Sequence, residues 1–109
     1  VKLEIMTPTK EYPVFMAQNN YTGDCVGGLY QNWEIKNDQC WICGVTTAVT
    51  LTDAIKILHE YIRDNNEYMD ENTKFDIYML DGTCNKFGEP TMVKCYSISI
   101  KKAKQFRIF

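Results

Sequence analysis

Two cysteines in Cys40-Trp41-Ile42-Cys43-Gly44 come nearest, by type and spacing, to residues that do chemistry. On a tight turn, such a pair lets two thiolates grip one zinc ion. A tetrahedral site needs two further ligands, and the soft donors left are Cys25, Cys84, Cys95 and His59. None of them forms a second close pair. The same motif could act as a redox dithiol, which needs its first Cys at a helix N-terminus to lower the thiol pKa. The residues that follow, Gly44-Val45-Thr46-Thr47-Ala48-Val49-Thr50, are rich in β-branched side chains and poor in helix propensity. Structural thiols are therefore the reading preferred for Cys40 and Cys43, with zinc as an alternative. No cofactor is expected.

A nucleophilic cysteine needs a histidine base. Gln18 lies upstream of Gly23-Asp24-Cys25, an order that cysteine peptidases use, and His59 is the one histidine. Yet Val26-Gly27-Gly28 after Cys25 is a poor helix start, and His59 reads as a solvated helix residue. No catalytic residue is assigned and no enzyme is expected. Gly23, Gly27 and Gly28 match no phosphate-binding loop. Asp53, Glu60, Asp64, Glu67, Asp70 and Glu71 read as a solvated helix face. The last twenty residues hold five bases (Lys94, Lys101, Lys102, Lys104, Arg107) and no acid. The rest of the chain therefore carries seven bases against fourteen acids. A basic strand with Tyr96, Phe106 and Phe109 for stacking could contact nucleic acid. Lysines that discourage edge-to-edge strand pairing explain it as well, so nucleic acid is an alternative and is not favoured.

The element that positions Cys40 and Cys43 is a β-hairpin over Tyr30–Val45. If Asn37-Asp38 is its two-residue turn, Ile35 faces Cys40, Trp33 faces Ile42 and Tyr30 faces Val45. Period-two alternation puts Leu29, Trp33, Ile35, Cys40 and Ile42 on the apolar face. Tyr30, Asn32, Glu34, Trp41, Cys43 and Val45 share the other. Residues three apart on a strand point to opposite faces, which separates Cys40 from Cys43.

Around the hairpin, Lys2–Met6 and Tyr12–Ala17 read as short strands split by Thr7-Pro8-Thr9. Thr52 is the expected N-cap of a helix over about 53–69, with Asp53 at the positive end of its dipole; Asn65-Asn66 lowers propensity late in the helix and leaves its end open between Asp64 and Asp70. Ala54, Ile55, Leu58, Tyr61, Ile62, Tyr68 and Met69 recur at helical spacing as its buried stripe. Lys56, Glu60, Arg63, Asp64 and Glu67 lie opposite. Lys74–Leu80 and Met92–Ile100 read as strands, and Lys101–Phe109 as a final strand. The order ββββαββ(β) implies a single α+β domain spanning 1–109, an antiparallel sheet of five to seven strands packed on one helix.

At 109 residues, with 45% hydrophobic and 24% charged side chains, the chain has the balance of an ordinary globule. It needs no metal or disulfide to fold. Five cysteines, an odd number, read most simply as free thiols in a reducing compartment. No apolar run reaches the roughly 20 residues of a membrane span, and Val1–Lys10 has no signal-peptide core. Cytoplasmic localisation is the expectation, with no membrane partner. Scarce Arg beside abundant Asn, Lys, Ile and Tyr hints at an AT-rich bacterial or phage genome. With 13% aromatic residues, the expected function is non-catalytic contact with another protein, as for inhibitors, immunity proteins or phage accessory proteins. A homodimer stays open. The expected contact residues are Tyr30, Trp41 and Val45 on the hairpin and Glu60 and Glu67 on the helix.

Overall fold

The computed structural model describes residues 4–6, 8–23, 32–36, 39–44, 48, 50–87 and 89–107. Strands β1 (Glu4–Met6), β2 (Val14–Asn19), β3 (Asn32–Lys36) and β4 (Gln39–Gly44) precede helix α1 (Leu51–Asn65). A 3-10 turn (Asn66–Tyr68), strands β5 (Lys74–Cys84) and β6 (Pro90–Ser99) and a short helix α2 (Ile100–Gln105) follow. The class is α+β. In place of one sheet on one helix, the described strands form two three-stranded antiparallel sheets, ordered β1-β4-β3 and β2-β5-β6, with a second helix. Pro8 and Pro13, which have no N–H to give a ladder, punctuate the chain between β1 and β2. β1 joins the hairpin beside β4, and β2 joins β5.

The hairpin register is the expected one: Ile35 pairs with Cys40 and Trp33 with Ile42. Lys36 pairs with Gln39, which leaves two residues for the turn. β4 runs unbroken through Cys40 and Cys43.

The second sheet carries the main core. On one face Phe15, Ala17, Phe75, Ile77 and Ile98 meet Ala54, Leu58 and Ile62 of α1 and Ile100 and Ala103 of α2. On its other face Val14, Met16 and Leu80 form a smaller buried cluster; β4 also comes near β5. The sheet is therefore buried on both sides along part of its length. Ile77 pairs with Tyr96 but Tyr78 with Lys94, which makes Cys95 the extra residue of a β-bulge. Gly82 has φ +87°, and a Cβ there would collide with the Pro8 carbonyl oxygen. Glycine is thus required where the linker crosses β5.

Helix α1 departs from expectation at its start. Its N-cap is Thr50, whose Oγ1 accepts from the Asp53 N–H at 3.1 Å. This earlier start brings Leu51 into the apolar stripe against the core. At the C-terminus, Asn65 Nδ2 donates to the Tyr61 carbonyl and Asn66 Nδ2 to the Arg63 carbonyl. The Arg63 carbonyl is one of the last four, which lack an N–H partner further along the helix, and the helix ends at Asn65, inside the span from Asp64 to Asp70 that Asn65-Asn66 left open. Tyr68, placed by periodicity in the buried stripe, falls beyond that stop and is 89% exposed. Ile55 is half-buried, less than its place in the stripe suggested.

The expected final strand is also corrected, because residues 100–105 are helical. Ser99 caps α2 by accepting from the Lys102 N–H, and Ile100 and Ala103, three apart, bury against α1's core. The expectation of free thiols fails at Cys84, which is disulfide-bonded; Cys95 is free and exposed. Disulfides persist in oxidising surroundings, so the thiol argument for a reducing compartment lapses. Among the described residues no helix is long and apolar enough to cross a membrane.

Candidate binding surface

Helix α1 buries Ala54, Leu58 and Ile62 at its inner face. A second stripe, recurring at three and four residues, therefore runs along its flank. Thr52, Ile55, Lys56, His59, Glu60 and Arg63 line a shallow groove of about 360 Å³ there. Ile55 supplies apolar surface, and the flanking charges alternate in sign. Glu60 and Glu67, both expected as contact residues, are exposed on α1 and the 3-10 turn after it.

His59 is tied to the sheet and is not the solvated residue anticipated. Its Nε2 lies 2.7 Å from the Tyr96 hydroxyl, with ring centroids 5.8 Å apart. Burial lowers the His59 pKa and raises that of Tyr96, which favours the neutral form of each. The pair anchors the middle of the groove to β6. Arg63 lies at 3.0 Å from Asp64, both side chains being more than half exposed. The hydrogen bond to Asp64 and then its charge raise the Arg63 pKa, keeping it cationic. An exposed pair of this kind is screened by solvent and adds little to stability, so Arg63 can exchange partners readily.

On the opposite face of the sheet lies a polar cluster that sequence reasoning missed. The Asp76 side chain is fully buried, yet it is a carboxylate. Asn20 Nδ2 donates to it at 2.7 Å, Ser97 Oγ at 2.7 Å and Tyr78 OH at 3.4 Å. Lys94 Nζ stands 3.5 Å away. Burial would raise the Asp76 pKa, but hydrogen bonds from Asn20 and Ser97 and the charge of Lys94 outweigh it and hold the carboxyl below its ordinary value. The alternation Phe75, Ile77, Met79 assigns Asp76 to the sheet's second face. The sequence gives no sign that the second face is covered.

The remaining expected sites divide simply. Trp41 stands on β4 opposite Glu34, while Tyr30, Val45 and Cys25 lie outside the described residues, as does the degree of exposure expected for Trp41. No cluster of three or more metal-ligating side chains occurs among the described residues. Of the C-terminal bases, Lys94 is paired with Asp76 and Lys104 with Glu71. Two of the five charges that suggested nucleic acid are thus engaged within the fold. Tested against protein-family models, curated proteins and solved structures, the chain matches none.

Proposed function

We propose that this chain is a non-catalytic interaction module that binds another protein along the outer flank of α1. The observation that carries this reading is the groove itself. Ile55, Lys56, His59, Glu60 and Arg63 line it, and Tyr68, 89% exposed, stands just beyond the helix end. An isolated tyrosine so exposed gains nothing for the fold, whereas Tyr and Arg are the side chains that dominate interface energies. Alternating charges at Lys56, Glu60 and Arg63 give orientation and selectivity more than affinity. The partner is a protein surface with complementary charges, in the manner of an inhibitor, immunity or phage accessory protein. A cysteine-nucleophile reading would need His59 as its base, and the His59 Nε2 is bonded to Tyr96.

The test is affinity capture with wild type beside Glu60→Lys/Arg63→Glu/Tyr68→Ala. These three side chains are exposed, so the variant should fold normally. A protein retained by wild type and lost by the variant is the expected result. Identical captured sets would overturn the assignment to α1.

A further inference from the structure

A second groove lies where the turn after β2 meets the turn before β5. It measures about 460 Å³, and Asn19, Asn20, Tyr21, Asp70, Asn72 and Lys74 contribute to its lining. That volume falls within the range of small-ligand sites. We propose that this groove binds a neutral, polyhydroxylated ligand, a short oligosaccharide segment.

The argument rests on polar groups whose other half is already fixed. Asn19 Oδ1 accepts the backbone N–H groups of Tyr21 and Thr22 at 2.9 and 3.1 Å. Its amide NH2 has no acceptor among the described residues. Asn20 Nδ2 is held on buried Asp76 at 2.7 Å, and its Oδ1 remains an acceptor. Asp70 Oδ1 takes the Asn72 N–H at 2.7 Å, and its Oδ2 is a second acceptor. The backbone beneath is locked by Asn20 N–H to the Lys74 carbonyl at 2.8 Å and Thr73 N–H to the Asp70 carbonyl at 3.0 Å. Donors and acceptors are thus set in fixed places before any ligand arrives, which lowers the entropic cost of binding.

A hydroxyl both donates and accepts, so neighbouring sugar hydroxyls match an alternating set of amide donor, amide acceptor and carboxylate. Tyr21 is 97% exposed at the groove and offers a flat apolar face with a polar tip, suited to the C–H face of a pyranose ring. Charge decides against a polyanion: the lining holds one acid, Asp70, and one base, Lys74, which cancel. Nucleic acid would demand an excess of bases there.

The experiment is a two-dimensional 15N–1H NMR titration of the full chain with maltotriose, cellotriose, mannotriose and chitotriose in turn. The expected result is saturable shifts confined to the amides of residues 19–23 and 70–74 for at least one of them, with a dissociation constant of about 1 mM or tighter. Tyr21→Ala should weaken that binding by about fivefold or more, and Asp70→Asn, which keeps the turn acceptor, should weaken it too. The spectrum of each variant shows directly that it is folded. Absence of shifts with every trisaccharide, shifts elsewhere, or affinity unchanged in both variants would overturn the proposal. A protein partner on α1 would move the amides of residues 52–67 instead, so the two readings fail separately.

Discussion

Replacing Asp76 probes the polar cluster beneath the sheet. Asp76→Ala removes a carboxylate with no exposed surface and two strong hydrogen bonds, from Asn20 and Ser97, each 2.7 Å. Hydrogen bonds to a charged group contribute about 1.5–3 kcal/mol each, which gives a gross loss of about 3–6 kcal/mol. Lys94 is half exposed, and an ion pair so placed adds at most about 1 kcal/mol. Against this, removing the carboxylate lifts its desolvation cost, and Asn20, Ser97 and Lys94, all largely exposed, can turn to water. The net expectation is a loss of about 2–3 kcal/mol in urea unfolding. The pH dependence gives an independent check. The folded pKa of Asp76 is depressed, so the unfolded chain binds the proton more readily. The stabilisation is fully present above the ordinary carboxylate pKa and is lost as pH falls through the folded value. Wild type should therefore lose stability on acidification faster than Asp76→Asn. A loss below about 0.5 kcal/mol in Asp76→Ala, or parallel acid limbs in wild type and Asp76→Asn, would refute the cluster's role.

Further outcomes follow from the fold. Leu58→Ala, at a site with no solvent exposure, should cost about 2–5 kcal/mol in chemical denaturation; a loss well under 1 kcal/mol would detach α1 from the core. Gly82→Ala should cost well over about 1 kcal/mol, since its positive φ and the Pro8 carbonyl both oppose a Cβ. Gly23→Ala, with positive φ but open space around it, should cost clearly less in the same melts. Iodoacetamide applied to the native, unreduced chain and read by peptide mass spectrometry should label Cys95 and spare Cys84; full labelling of Cys84 without reductant would contradict the disulfide.

Much of the local structure was legible because single residues set it. Two residues between Lys36 and Gln39 fixed the hairpin register, and the spacing of Ala54, Leu58 and Ile62 fixed the inner face of α1. Helix ends were less legible, since caps depend on which of two threonines, Thr50 or Thr52, turns its hydroxyl to the backbone. The C-terminal helix was hidden by the alternation of Phe106 and Ile108, yet Ser99 followed by Ile100 and Ala103 carried its signal: a cap and two apolar residues three apart. The two-sheet arrangement was not legible, because β2 pairs with β5 across more than fifty residues. Asp76 was missed for the same reason. Its main partners come from the turn after β2 and from β6, and only tertiary pairing shows that a carboxylate inside a strand is buried and satisfied. The groove on α1 could be read in part: Glu60 and Glu67 were visible as an outer face, while the link from His59 to Tyr96 spans two elements.

Calorimetric titration of the captured partner with wild-type protein and with Arg63→Glu tests the central claim most directly. Arg63 is exposed and its side chain pairs at the surface with Asp64, so the change should leave the melting temperature nearly untouched. If the partner seats on α1, binding should weaken by about 2 kcal/mol or more, roughly thirtyfold. Affinity within about threefold of wild type, with the fold intact, would contradict the account.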